Sequence, residues 1–83
     1  MDFFVYLIIA VIKNRKISYV GYTNNLNKRI KLHNSSKGAK FTRGKKWIII
    51  YKKKFILKNK AMSYEYLLKH DRNKRLQIYN KNK

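Results

Sequence analysis

The sequence predicts a small α+β fold, a mainly antiparallel three-stranded sheet packed with helices in the order ββαβαα. Three observations predict it. The apolar run Phe3 to Ile12 and the alternating run Ile17 to Tyr22 flank a short polar turn, which reads as a β-hairpin. A third β-branched run begins at Trp47. The stretches after the second and third runs carry apolar residues at helical spacing.

Taken in order, Phe3 to Ile12 is apolar at every position, which suits a strand buried on both faces. With ten residues it is half the length of a membrane span, which needs about 20. The one charged residue ahead of it is Asp2, so it lacks the basic start of a secretory signal, and an intracellular protein is expected. Lys13-Asn14-Arg15-Lys16 supplies the turn, whose tightest form at Asn14-Arg15 would set Tyr19 opposite Ala10. Thr23, Asn24 and Asn25 offer capping oxygens to a helix in which Leu26, Ile30 and His33 share a face. A polar, basic loop runs from Asn34 through Gly44. The third strand covers Trp47 to Tyr51 and extends to Phe55. Asn59 is the expected cap of a second helix with Ala61, Tyr64, Glu65 and Leu68 along one face, and Asp71 caps a short third helix. No repeat, linker or proline break divides the chain, so residues 1–83 are read as a single domain.

Composition narrows the function. Aromatic residues make 14% of 83 residues and hydrophobic ones 45%, which excludes intrinsic disorder. The absence of cysteine excludes a disulfide scaffold, a thiolate zinc site and a cysteine nucleophile. Twenty-two Lys and Arg against three Asp and Glu give a net charge of +19, a field that attracts phosphate backbones. Codon bias toward A/T would inflate lysine but does not account for the scarcity of acids. Nucleic acid is therefore the expected partner, ahead of a membrane surface or an acidic protein, with DNA expected before RNA. Nothing in the sequence signals a dimer, and a monomer is expected.

Five residues stand out as candidates for chemistry. Tyr6 and Tyr19 lie on consecutive strands, and an even-numbered turn puts both on one face of the hairpin, although strand tyrosines ordinarily serve packing. Arg29 and His33 are one helical turn apart, and 17 of the 22 cations are lysines, so the arginine reads either as a choice for the planar fork that fits phosphate or as a solvated cation beside a helix histidine. Glu65 reads either as an i,i+4 partner of Lys69 or as a ligand for Mg²⁺. Lys37, Lys40, Arg43, Lys45 and Lys46 surround Phe41 in a stretch suited to a nucleic-acid strand.

In order along the chain, Phe4-Val5-Tyr6, Tyr19-Val20-Gly21, Arg29, His33-Asn34, Lys37 to Gly44 and the Glu65 helix resemble a GIY-YIG nuclease domain. The likeness is to its small stand-alone members, similar to excision-repair and structure-specific endonuclease domains, and it covers nearly all 83 residues. The resemblance implies a phosphodiesterase dependent on Mg²⁺ or Mn²⁺ that leaves a 5′-phosphate and a 3′-hydroxyl. It also implies that Tyr6 or Tyr19 is the general base or orients the water, that Arg29 stabilises the scissile phosphate, that His33 assists, and that Glu65 holds the metal. Arg29 and the positive field should lower a tyrosine pKa from its ordinary value near 10. Phe4 stands where the family has glycine, the interval from Tyr6 to Tyr19 is longer than usual and predicts an extended or bulged hairpin, and neither Asn73 nor Asn80 matches the family's late asparagine. The alternative reading is a catalytically silent nucleic-acid-binding module on the same fold.

Overall fold

The computed structural model describes residues 2–35 and 40–81. Strand β1 (Phe3–Ile12) is central, flanked by β2 (Arg15–Thr23) and β3 (Ile48–Phe55), and both pairings are antiparallel. Helix α1 (Leu26–Asn34) precedes a 3₁₀ turn at Lys40–Thr42, and α2 (Lys58–His70) and α3 (Arg72–Lys81) close the chain. The order is ββαβαα, as the hydrophobic pattern predicts.

β1 is buried from Val5 to Ala10 because each face meets a different layer. Odd positions Val5 and Leu7 pack with Val20 and with Ala61, Leu68 and Ile78 of the last two helices. Even positions Tyr6, Ile8 and Ala10 pack with Trp47, Tyr19, and Leu26 and Ile30 of α1. The sheet is thus the middle of three layers. Between Leu7 and Ile8 the β3 register slips by one residue, and the extra residue, Ile50, joins Tyr51 against the α2–α3 layer. Among the described residues no helix is long and apolar enough to cross a membrane.

Two local expectations need correction, and one stated alternative is decided. The hairpin turns at Lys13-Asn14, both at positive φ, rather than at Asn14-Arg15, so Tyr19 lies opposite Ile8 and not Ala10. The long interval between Tyr6 and Tyr19 is taken up by lengthened strands with continuous pairing, so the hairpin is extended and not bulged. Helix α2 begins after Leu57, without a side-chain cap, instead of at Asn59, because burial of Ala61 and Leu68 on the sheet sets its start. The other caps follow the sequence: Asn25 Oδ1 accepts from Lys28 N at 3.1 Å, and Asp71 Oδ1 from Lys74 N at 3.0 Å.

Candidate active site

The site grows from the face of β1 that meets α1. Tyr6 points into this layer and is 1% exposed. Its cross-strand neighbour is Gly21. A Cβ at Gly21 would press on the Tyr6 hydroxyl and lie 2.7 Å from Cζ, so the absent side chain is the space the phenol occupies. Tyr19, two residues before Gly21, shares the face and is half-buried. The Asn25 cap starts α1 so that Arg29 and His33, one turn apart, both reach Tyr6. Arg29 Nε donates to Tyr6 Oη at 3.4 Å, and His33 Nε2 lies 2.8 Å from the same oxygen.

Burial decides the protonation states. It pushes the Tyr6 phenol above the ordinary tyrosine value, and the hydrogen bond and charge of Arg29 only partly oppose it. The expected lowering at this tyrosine is therefore reversed: an interior position penalises phenolate more than one guanidinium favours it. His33, fully buried, is held below its ordinary value by burial and then by the Arg29 charge. Its imidazole is neutral at pH 7. Arg29 is pushed up by its hydrogen bond to Tyr6 and, in smaller part, by the Tyr19 phenol, which places the guanidinium beside both tyrosines.

A framework from the basic segment closes the layer. Thr42 is fully buried, with Oγ1 2.9 Å from His33 Nδ1. The Trp47 indole N–H donates to the Thr42 carbonyl at 2.9 Å, and the Asn34 side chain bonds both the N–H and the carbonyl of Trp47, at 2.6 and 3.1 Å. Phe41 stacks on Tyr19 with ring centroids 6.2 Å apart, and His33 meets the same tyrosine edge-on at 5.2 Å. Thr42 and Trp47 are given no site role by sequence reasoning, and Asn34 enters it only as part of the His33-Asn34 motif. For Thr42 and Trp47 the signal is a buried-type residue, Trp47, just after a run of cations.

Glu65 belongs to the opposite layer, on α2. Its Oε2 lies 3.6 Å from the Nζ of Lys69, the expected i,i+4 partner, and its side chain is 20% exposed. Its charge nevertheless reaches Tyr6, where it raises the phenol pKa. No group of three or more His, Cys, Asp or Glu that could hold a metal occurs among the described residues. A single, partly exposed carboxylate with one long ion pair is still a sufficient protein donor for Mg²⁺, which keeps several waters and binds through one or two carboxylates plus substrate oxygens. The donor set fits a hydrated hard cation and not a dedicated protein cage.

Of the five cations expected to meet nucleic acid, Lys37 lies outside the described residues. Lys40, Arg43 and Lys46 are exposed around the turn that carries Thr42. Lys45 is spent on its own loop: its Nζ donates to the carbonyls of Phe41 at 3.0 Å and Arg43 at 3.4 Å.

Comparison with known proteins gives one consistent picture. The GIY-YIG catalytic domain family matches residues 2–82. A UPF0213 protein of Clostridium perfringens is 44% identical over 75 residues, covering 88% of this chain and 80% of that protein. A UPF0213 protein of Oceanobacillus iheyensis is 52% identical over 52 residues, 61% of this chain, and one of Bacillus subtilis is 42% identical over 62 residues, 74% of this chain. The matches cover only 60% and 63% of the length of these last two relatives. The solution NMR structure of a UPF0213 protein from Bacillus halodurans is similar with a TM-score of 0.54 and 38% identity, covering 96% of this chain and 84% of that one.

Proposed function

The chain belongs to the GIY-YIG catalytic domain family, a nuclease-associated family, and from that premise we propose that it is an endonuclease that hydrolyses phosphodiester bonds, with DNA as the expected substrate. Residues 1–83 act as one catalytic domain and as a monomer, cutting one strand per encounter. The observation that carries this reading is the guanidinium of Arg29, held through Nε by the buried Tyr6 and lying beside the half-buried Tyr19. With Nε so occupied, the terminal nitrogens form the fork that suits a phosphate.

The two tyrosines divide the work by burial. Tyr6, enclosed and pushed toward the neutral phenol, holds Arg29 and does not meet substrate. Tyr19 is the tyrosine that solvent reaches, and it orients the attacking water. Water oxygen bonds to phosphorus and releases one proton to solvent, the bond to the 3′ oxygen breaks, and that oxygen takes up one proton from solvent to leave a 3′-hydroxyl and a 5′-phosphate. His33, with no exposed surface, acts through Tyr6. Glu65 is the residue that would hold Mg²⁺ or Mn²⁺, which when bound supplies positive charge against the scissile phosphate. Lys40, Arg43 and Lys46, with Lys37, carry flanking phosphates.

The test is incubation of purified protein with labelled linear, nicked and branched DNA, and with RNA, with and without Mg²⁺ or Mn²⁺. Tyr19→Phe and Glu65→Gln should each lower cleavage by roughly 10²-fold or more, as expected for groups at the reacting centre. DNA affinity in chelator should be kept in both. Glu65→Gln cutting at the wild-type rate would leave only the ion pair with Lys69 as its role. Tight binding with no cleavage by any form would favour the silent binding module instead.

A further inference from the structure

Thr42 brings a buried hydroxyl to the tyrosine layer from the basic segment, and the hydrogens of the chain it joins can be assigned. Arg29 Nε can only donate, so the Tyr6 oxygen accepts there at 3.4 Å. The phenolic hydrogen is then available to His33 Nε2 at 2.8 Å. A neutral imidazole that accepts at Nε2 carries its hydrogen on Nδ1, and Thr42 Oγ1 stands 2.9 Å from that nitrogen. Each hydrogen is used once, in the direction Arg29 to Tyr6 to His33 to Thr42.

We infer that Thr42 is a positioning residue for this site: by accepting the Nδ1 hydrogen of His33 it fixes the tautomer whose bare Nε2 takes the Tyr6 hydrogen, and so keeps the Tyr6 lone pair aimed at Arg29. In the opposite tautomer Nε2–H points at the phenol oxygen and the phenolic hydrogen must turn toward Arg29, itself a donor, which costs the guanidinium its acceptor. The same 3₁₀ turn stacks Phe41 on Tyr19, so one short element bears on both tyrosines. The effect on rate rests on the nuclease reading; the effect on His33 does not.

Two measurements separate these. In long-range ¹H–¹⁵N NMR of the labelled imidazoles, wild-type His33 should show protonated Nδ1 and bare Nε2. Thr42→Val keeps the shape and removes the acceptor, and should shift His33 toward the other tautomer, whereas Thr42→Ser should restore the wild-type pattern. In cleavage assays Thr42→Val should lower kcat about tenfold, the scale of one lost hydrogen bond, with KM for DNA little changed and Thr42→Ser close to wild type. Should Thr42→Val not fold, Thr42→Ala serves the same comparison. A wild-type tautomer retained in Thr42→Val, or a Thr42→Ser protein as impaired as Thr42→Val, overturns the assignment. A wild type that cuts nothing, with the tautomer still lost in Thr42→Val, would sink the nuclease reading and leave Thr42 positioning Tyr6.

Discussion

A Cβ at Gly21 would crowd the Tyr6 ring carbon that bears the hydroxyl, at 2.7 Å, and Tyr6 has little room to retreat from it. The ring is 1% exposed and its oxygen is bonded to His33 and Arg29. Gly21→Ala should therefore cost about 1–3 kcal/mol of overpacking, read as a fall in Tm of roughly 4–8 °C per kcal/mol for a domain of this size. Cleavage should fall with it, because the displaced phenol carries Arg29. The double variant Gly21→Ala with Tyr6→Phe should regain part of the stability, since the atom that meets the new methyl first is gone. An unchanged Tm in Gly21→Ala would remove the close approach from this account. At this scale Tyr6, Tyr19, Arg29 and His33 are legible in the sequence as an ordered set, although each residue alone reads as ordinary. Strand spacing sets the two tyrosines on one face, and helical spacing sets Arg29 beside His33. Thr42 is not legible, since a threonine among cations looks solvated until the fold buries it. The direction of the Tyr6 pKa was also hidden, because charge is countable in a sequence and desolvation is not.

At the scale of elements, apolar alternation assigns each strand's faces but leaves the hairpin register open. Turning at Lys13-Asn14 or at Asn14-Arg15 keeps Tyr6 and Tyr19 on the same face, because the two registers differ by two positions in the pairing. Room for the Tyr6 phenol distinguishes them: only the first sets Gly21 opposite it. The chosen turn comes with local strain, with Lys13 at φ 49° and Asn14 at φ 64°. Left-handed backbone costs a non-glycine residue about 1–2 kcal/mol, and two-residue hairpin turns of this kind prefer Asn-Gly. The double variant Lys13→Asn with Asn14→Gly should therefore gain about 1 kcal/mol in urea denaturation, after the added entropy of glycine in the unfolded chain. Its cleavage rate should match wild type, since the turn lies at the far end of the strands from Gly21. A loss of stability would mean that Lys13 makes contacts that outweigh its backbone strain. The start of α2 was missed for a related reason: Asn59 has the chemistry of a cap, yet the burial of Ala61 and Leu68 outweighs about 1 kcal/mol of capping.

For the whole molecule the question is how much of the +19 charge does specific work. A charge inflated by codon usage would spread over every surface, and DNA would then sense a general field. A built interface would concentrate the response in a few cations. Arg29 on the scissile phosphate with Lys37, Lys40, Arg43 and Lys46 on flanking ones would make five phosphate contacts, for which log K against log salt should fall with a slope of about −4.5 on duplex DNA. Removing Lys40, Arg43 and Lys46 together as alanines should flatten that slope by about 2.7, each lost phosphate contact removing about 0.9. The control takes away the same charge elsewhere: Lys60, Lys74 and Lys81 are exposed on α2 and α3, the layer across the sheet from Tyr6. Alanine at those three should lower affinity slightly at low salt, through the long-range field, and leave the slope near the wild-type value. Fluorescence anisotropy in chelator from low to physiological salt measures all three proteins without cleavage intervening. Equal slopes for the two triple variants would show that the charge acts as a diffuse field, and the basic segment would then lose its role as the track for the strand.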